Sequence, residues 1–160
     1  MNQWANFFSA MAESAATLTG LIFVAASINL AKILSIPVLI DRSLESIILL
    51  LNIILVSALA LIPGVASHVE GVKFLINGVV AWVCMVYLDR RIWRNSEKEH
   101  RRHAVQNTIF SQLAVLPYII GGIMIIYQGY DGIYWVIPGI FISFIKAVID
   151  AWVILVEIHR

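Results

Sequence analysis

The sequence predicts an all-α, polytopic membrane protein with five transmembrane helices, and two observations carry that prediction. First, 61% of its 160 residues are hydrophobic and only 13% are charged, with a mean hydropathy of +0.89; soluble domains carry about 25% charged residues. Second, five apolar runs reach or approach the roughly 20 residues that a membrane-spanning helix needs. Because the runs lack the alternation of a barrel strand, we expect one helical membrane domain over residues 1–160.

The five helices are expected near residues 5–34, 43–62, 72–94, 96–127 and 133–158. The first contains "AATLTGLIFVAASINLAKIL", and the second is ended by Pro63-Gly64. The fourth contains Pro117, where we expect a bend. An alternative with four spans would leave the first helix lying on the membrane surface.

Lysine and arginine residues in short loops set the orientation of a membrane protein, because they are retained on the cytoplasmic side. With five spans, Lys73 is the one Lys or Arg residue of the sequence on one side of the membrane. The other side holds the C-terminus and nine of the eleven Lys and Arg residues: Lys32, Arg42, Arg90, Arg91, Arg94, Lys98, Arg101, Arg102 and Arg160. We therefore predict an outside N-terminus and a cytoplasmic C-terminus. Aromatic residues would then lie near the outer interface, as is usual: Trp4, Phe7, Phe8, Tyr127, Tyr130, Tyr134 and Trp135.

The segment between the third and fourth helices has no Gly or Pro, and "SEKE" at Ser96 to Glu99 is typical of a capping box. It predicts a helical hairpin that projects into the cytoplasm. Its basic residues are Arg90, Arg91, Arg94, Lys98, Arg101 and Arg102. They are expected either to meet anionic lipid head groups or to dock a soluble partner; without regularly spaced aromatic residues, nucleic acid is not expected. His100 and His103 have too few further ligands nearby for a metal site, and no cofactor is predicted.

Two opposite charges, Lys146 and Asp150, lie four residues apart in the fifth helix. Helical periodicity puts them on one face with Gly139, Ser143 and Glu157. A charge that faces lipid at the bilayer centre costs at least about 2.5–3.5 kcal/mol, so this face is expected to be turned towards protein or water. Three roles stay open for the pair: an internal ion pair that fixes helix packing, part of a proton or ion pathway, or a contact between subunits.

The first helix carries a second stripe of polar and small residues: Ser9, Glu13, Ala16, Thr17, Gly20, Ser27 and Ala31. Such stripes allow close helix packing, and they also line narrow aqueous pores. Asn52 and Gln112 lie at the depth of Lys146 and Asp150, and we expect them to join the hydrogen bonds of that pair directly or through water. The residues predicted to line a polar interior or ion pathway are Glu13, Thr17, Gly20, Ser27, Asn52, Gln112, Lys146 and Asp150.

Four segments of the chain are similar to those of a known family: "AATLTGLIFVAASINL" (Ala15 to Leu30), "LIPG" (Leu61 to Gly64), "LPYIIGG" (Leu116 to Gly122) and the C-terminal run from Ile133 to Arg160. Over nearly its whole length the chain resembles an uncharacterised family of small bacterial integral membrane proteins, some of which are labelled modulator of FtsH protease. The resemblance implies a multi-pass protein of the bacterial inner (plasma) membrane. A shorter likeness connects "TLTGLIFVAASINL" with the pore-lining first helix of the Orai calcium channels.

The expected function is a homo-oligomeric channel or ion pathway, lined by the first helix and supported by the fifth, with an inorganic ion as its permeant. The alternative is a non-enzymatic regulatory or scaffold subunit of a larger membrane complex, such as a membrane protease. An enzyme is not expected, because the chain has no paired-histidine motif, phosphate-binding glycine loop or nucleophile with a suitably placed base.

Overall fold

The chain folds into packed α-helices in the computed structural model, which describes residues 4–95 and 101–158, with side chains for 4–94 and 104–153. The predicted helical class is confirmed. The helices are α1 (Ala5–Ile28), α2 (Leu30–Ser35), α3 (Pro37–Leu61), α4 (Ser67–Asn95), α5 (Arg101–Gln128) and α6 (Ile133–Ile158), with a 3-10 turn at Gly129–Gly132 between the last two. The predicted capping box at Ser96 and Glu99, Lys98, and the side chains of Arg101, Arg102 and Glu157 lie outside this description.

Four helical stretches of the described chain are long and apolar enough to cross a membrane: Ala5–Ile28, Pro37–Leu61, Ser67–Arg94 and Ala104–Val153. The last stretch is 50 residues long. It contains most of α5 and of α6, which the 3-10 turn separates. The composition of the chain and the length of these helices therefore both point to a membrane-embedded protein.

The segment expected to be a loop before the second span is instead almost entirely helical. Helix α1 stops at Asn29, α2 follows at once, and only Ile36 is extended, with φ −123° and ψ 101°. Pro37 then opens α3 at the first helical position, where its fixed φ suits a helix and its missing N–H costs nothing. The second predicted helix thus begins at residue 37 rather than 43, which puts Asp41 inside it and Glu45 two turns from its start.

Helices α4 and α5 pack with their backbones in contact. A Cβ atom added to Gly122 would lie 2.6 Å from the backbone nitrogen of Leu75, and one added to Gly71 would lie 2.8 Å from the carbonyl oxygen of Gly122. Such distances leave no room for a side chain, so these glycines permit the close approach that membrane helices use in packing. Helix α4 also begins at Ser67, before the predicted residue 72.

Helix α1 contacts the other helices through one narrow stripe. Its buried residues are Phe8, Ala15 and Ile22, spaced seven apart. They belong to the main core, which α3 and α6 also supply, and the Phe8 ring lies 6.4 Å from that of Phe74. The remaining surface of α1 is largely uncovered by the rest of the chain.

One end of the structure is aromatic. Trp4 packs edge-on against Tyr134 with ring centroids 5.2 Å apart, and the Tyr130 hydroxyl donates to the carbonyl oxygen of Val65 at 2.6 Å. The ring contact ties the beginning of α1 to the beginning of α6, and the hydrogen bond ties the 3-10 turn to the turn before α4. Arg90 and Arg94, which are exposed, lie near the opposite end of α4.

Candidate functional site

Lys146 is the centre of a buried polar cluster that draws on three helices. Its side chain is 3% exposed, and its Nζ atom lies 2.5 Å from Asp150 Oδ2, 3.1 Å from Glu45 Oε2 and 3.0 Å from Asn107 Oδ1. Asn107 also donates through Nδ2 to both carboxylate oxygens of Glu45, at 2.9 and 3.2 Å. An ammonium group has three hydrogens, so Lys146 is fully hydrogen-bonded. We call Lys146, Asp150, Glu45 and Asn107 the Lys146 cluster.

Three helices supply the members of the Lys146 cluster. Lys146 and Asp150 stand one turn apart on α6, while α3 supplies Glu45 and α5 supplies Asn107. The face of α6 predicted to avoid lipid is buried, and it continues to Ser143, whose hydroxyl lies 3.1 Å from that of Tyr118. With all groups ionised the cluster holds one positive and two negative charges, so it is not a simple ion pair.

Asn52 and Gln112, which are predicted to join the Lys146–Asp150 pair directly or through water, both hydrogen-bond to other residues. Asn52 instead accepts from Asn77 Nδ2 at 2.7 Å. Gln112 donates to Asp89 Oδ2 at 3.0 Å. Polar residues of similar depth thus form separate groups on different helix faces, rather than one graded interior.

The Gln112 group lies between α4 and α5. Its carbonyl oxygen accepts from Trp82 Nε1 at 2.8 Å, and Asp89 also receives the Thr108 hydroxyl at 3.2 Å. Asp89 is 4% exposed. The sequence analysis did not single out Asp89, although this residue lies within the third predicted helix, at residues 72–94.

One arginine of the predicted hairpin points back to the helices. Arg91 Nε lies 3.2 Å from Oδ1 of Asp41, whose side chain is fully buried, whereas the Arg91 side chain is 39% exposed. Arg90 and Arg94 are exposed. The basic surface at this end of α4 is therefore divided between one arginine that holds α3 and others that face outwards.

The polar stripe of α1 faces away from the rest of the chain, so within one protomer it does not meet the other polar residues in a single interior. Its members Glu13, Thr17, Gly20 and Ser27 are all exposed. Each buried residue of α1 is followed five positions later by a stripe residue: Phe8 by Glu13, Ala15 by Gly20, and Ile22 by Ser27. Five residues turn a helix by about 140°, so burial on one side puts the stripe on the other.

Most polar atoms of the α1 stripe are satisfied within the helix. The Ser9 hydroxyl donates to Glu13 Oε1 at 3.0 Å, while Thr17 and Ser27 donate to backbone oxygens one turn earlier. Within residues 4–95 and 101–158, Glu13 forms no ion pair. A Cβ atom added to Gly20 would meet nothing within 4 Å. The stripe is thus a smooth, small-residue surface with one uncompensated carboxylate.

Among the described residues, no group of three His, Cys, Asp or Glu side chains is placed to hold a metal ion. The two features that stand out chemically are therefore the Lys146 cluster and the exposed α1 stripe. Comparison of the chain with protein-family models, curated proteins and solved structures finds no match.

Proposed function

We propose that the chain is the subunit of a homo-oligomeric membrane channel for inorganic ions, with five spans, an outside N-terminus and α1 next to the symmetry axis. The observation that supports this most is the direction of the α1 stripe. Its polar residues face away from their own protomer, and a closed ring of subunits is the arrangement that would turn the same face of every copy towards a common axis.

The free-energy cost of exposing α1 of a single protomer to lipid also favours a ring of subunits. Glu13 stands eight residues into α1, about 12 Å from its start, within a hydrocarbon layer about 30 Å thick. A carboxylate there would face acyl chains at a cost of up to about 2.5–3.5 kcal/mol on the insertion scale. Placed at an axis, the same carboxylates would be hydrated, and rings of acidic side chains favour cations over anions.

The rest of the fold suits a supporting role. The Lys146 cluster joins α3, α5 and α6, and α1 rests on this assembly through Phe8, Ala15 and Ile22. Because the hydrogen-bonding groups of the cluster bond to one another, α6 would support α3, on which α1 packs, rather than line the pathway. This role corresponds to the first of the three roles considered for the Lys146–Asp150 pair, an internal ion pair that fixes helix packing.

Disulfide trapping tests the proposed axis. In a chain with Cys84 replaced by Ser, the Gly20→Cys variant should form cross-linked dimers in membranes on mild oxidation, because cysteines bridge when their Cβ atoms approach to about 3.5–4.5 Å. The matched control is Val80→Cys, which is 58% exposed and lies at similar depth on α4. Equal cross-linking at both positions, or none at Gly20, would contradict an axis built from α1.

Flux into lipid vesicles tests the activity. The Glu13→Gln variant should lower cation flux and weaken the preference for cations over anions, since it removes the one carboxylate of the α1 stripe. Asp131→Asn is the control, because Asp131 is exposed at the same end of the structure but lies in the turn before α6. A parent protein that passes no ions, or a Glu13→Gln variant with parental selectivity, would reject the channel.

A regulatory or scaffold subunit remains the second candidate, and the exposed Arg90 and Arg94 favour it. Replacing both by Gln should then abolish co-purification of a larger membrane complex, while vesicle flux stays absent in the parent and the variant alike. The channel proposal expects the opposite: flux in the parent that this double substitution leaves intact.

A further inference from the structure

A cavity of about 200 Å³ opens between α3, α5 and α6 beside the Lys146 cluster. Its polar lining includes Arg42, Gln106 and Asp150, and its apolar lining includes Phe110, Ile149 and Val153. Asn107 and Lys146 of the Lys146 cluster also line it, so the cavity combines two cations, one anion and an apolar wall. Because the Lys146 ammonium already donates to three acceptors, Arg42 is the cation available to a ligand. Phe110 and Ile149 are each 49% exposed, so the wall continues onto the outer surface of the helices.

Arg42 is the unusual member of this lining. Its side chain is half-buried, and its Nε atom is buried without a hydrogen-bond acceptor in the part of the chain that the structure describes. Leaving a charged donor without a partner is costly. Asp150, on the other side of the cavity, bonds to Lys146 through Oδ2 and also lines the cavity.

The depth of the cavity matches a lipid headgroup region. Counting from the aromatic end, Arg42 lies 19 residues before the end of α3 at Leu61, and Asp150 lies 17 residues after the start of α6 at Ile133. At about 1.5 Å per residue, Arg42 and Asp150 therefore lie about 28 and 25 Å from the ends of their helices at the aromatic end of the structure. A hydrocarbon layer is about 30 Å thick, so the cavity lies near its inner boundary.

We propose that this cavity binds the headgroup of an ethanolamine phospholipid, with the phosphate on Arg42, the ammonium group on Asp150 and an acyl chain along Phe110 and Ile149. A purely anionic lipid would bring its phosphate close to the carboxylate of Asp150. A choline headgroup has no N–H to donate to that carboxylate. A free phosphate ion would leave the apolar wall uncovered. The proposed lipid site requires only that the protein lies in a membrane, and it does not depend on channel activity.

Native mass spectrometry of the full-length protein, purified in detergent, tests the site with defined lipids. Dioleoyl phosphatidylethanolamine should bind about tenfold more tightly than the choline or glycerol lipid of the same chains, since one charge-assisted contact is lost in each. Mono- and dimethylated ethanolamine lipids keep an N–H and should bind nearly as well as the parent lipid. Equal binding of all these lipids, or tightest binding of phosphatidylglycerol, would overturn the proposal.

Variants then locate the binding. Arg42→Gln should weaken ethanolamine-lipid binding about tenfold. Arg94→Gln, which removes an exposed arginine near the same end of the structure but outside the cavity, should leave it unchanged. Soluble phosphoethanolamine should compete at high concentration and inorganic phosphate should not. Loss of binding in both variants, or competition by phosphate as strong as by phosphoethanolamine, would show a nonspecific attraction to basic surface and reject the site.

Discussion

Replacing Lys146 by Met should be among the most destabilising single changes in the chain. It removes three hydrogen bonds and leaves Glu45 and Asp150 buried without their shared cation. Because their oxygens lie 3.1 and 2.5 Å from one Nζ atom, the two carboxylates are within about 6 Å of each other and would repel. Removing one partner of a buried ion pair typically costs about 3–5 kcal/mol, and we expect a loss in that range.

The other members of the Lys146 cluster should respond in a defined order. Asp150→Asn leaves Lys146 paired with Glu45 and brings the cluster from a net charge of −1 to zero, so we expect a loss of only about 1–2 kcal/mol. The double variant Lys146→Met/Asp150→Leu should recover little stability, because Glu45 stays buried without a cation. Only the triple variant with Glu45→Gln removes every charge, and it should recover most of the loss.

Equilibrium unfolding in mixed micelles, with increasing SDS and circular dichroism as the readout, measures these differences. Ile145→Met is the control: Ile145 neighbours Lys146 but is 56% exposed, and we expect a change below about 0.5 kcal/mol. A Lys146→Met loss below about 1 kcal/mol, or an equal loss for Asp150→Asn, would refute the charge argument. If the triple variant is stable but passes no ions in vesicles, the cluster serves conduction rather than structure.

Three further predictions concern packing, hydrogen bonding and orientation. Gly122→Ala should lower the free energy of unfolding by about 1–3 kcal/mol in the same assay, since its methyl group would overlap the backbone of Leu75. Gly20→Ala is the control and should cost nothing, and equal losses would contradict the packing of α4 on α5. Asn77→Leu should cost about 1–3 kcal/mol by leaving the Asn52 carbonyl unpaired, and Asn52→Leu added to it should restore part of that loss; additive losses would argue against the bond. Single cysteines placed at positions 65–69 and 129–131 of a Cys84→Ser chain should react from outside intact cells, and those at 95–100 only after permeabilisation; the reverse pattern would overturn the orientation.

The buried face of α6 could be predicted because it follows from two local facts. Residues at steps of three and four share one side of a helix, and charges avoid lipid. Lys146 and Asp150 meet both conditions within a single helix, so no knowledge of neighbouring helices is needed. The direction of that face, away from lipid and into the protein, was therefore available from the sequence.

The partners of Lys146 could not be predicted in the same way, because they depend on helix boundaries and helix neighbours. Glu45 was expected at the end of its helix, and only the start of α3 at Pro37 places it two turns inside. Depth alone predicts Gln112 as a partner of Lys146. The observed partner Asn107 lies five residues away on α5, about 140° around the helix. Depth can be counted along a chain, whereas the choice of face requires knowing which helices lie on each side of α5.

The two polar surfaces of the chain also bear on where an ion could pass. The Lys146 ammonium is fully hydrogen-bonded within its own cluster. The ring of Tyr118 contacts the same face of α6 at Gly139, where a Cβ atom would lie 3.2 Å from Tyr118 Cε2. The α1 stripe is open instead: Glu13 forms no ion pair with the described residues, and Gly20 faces open space. An ion pathway that used both would have to cross the packed core between α1 and α3. The proposed pathway therefore belongs between protomers, along α1, and a protomer alone would present only one wall of it.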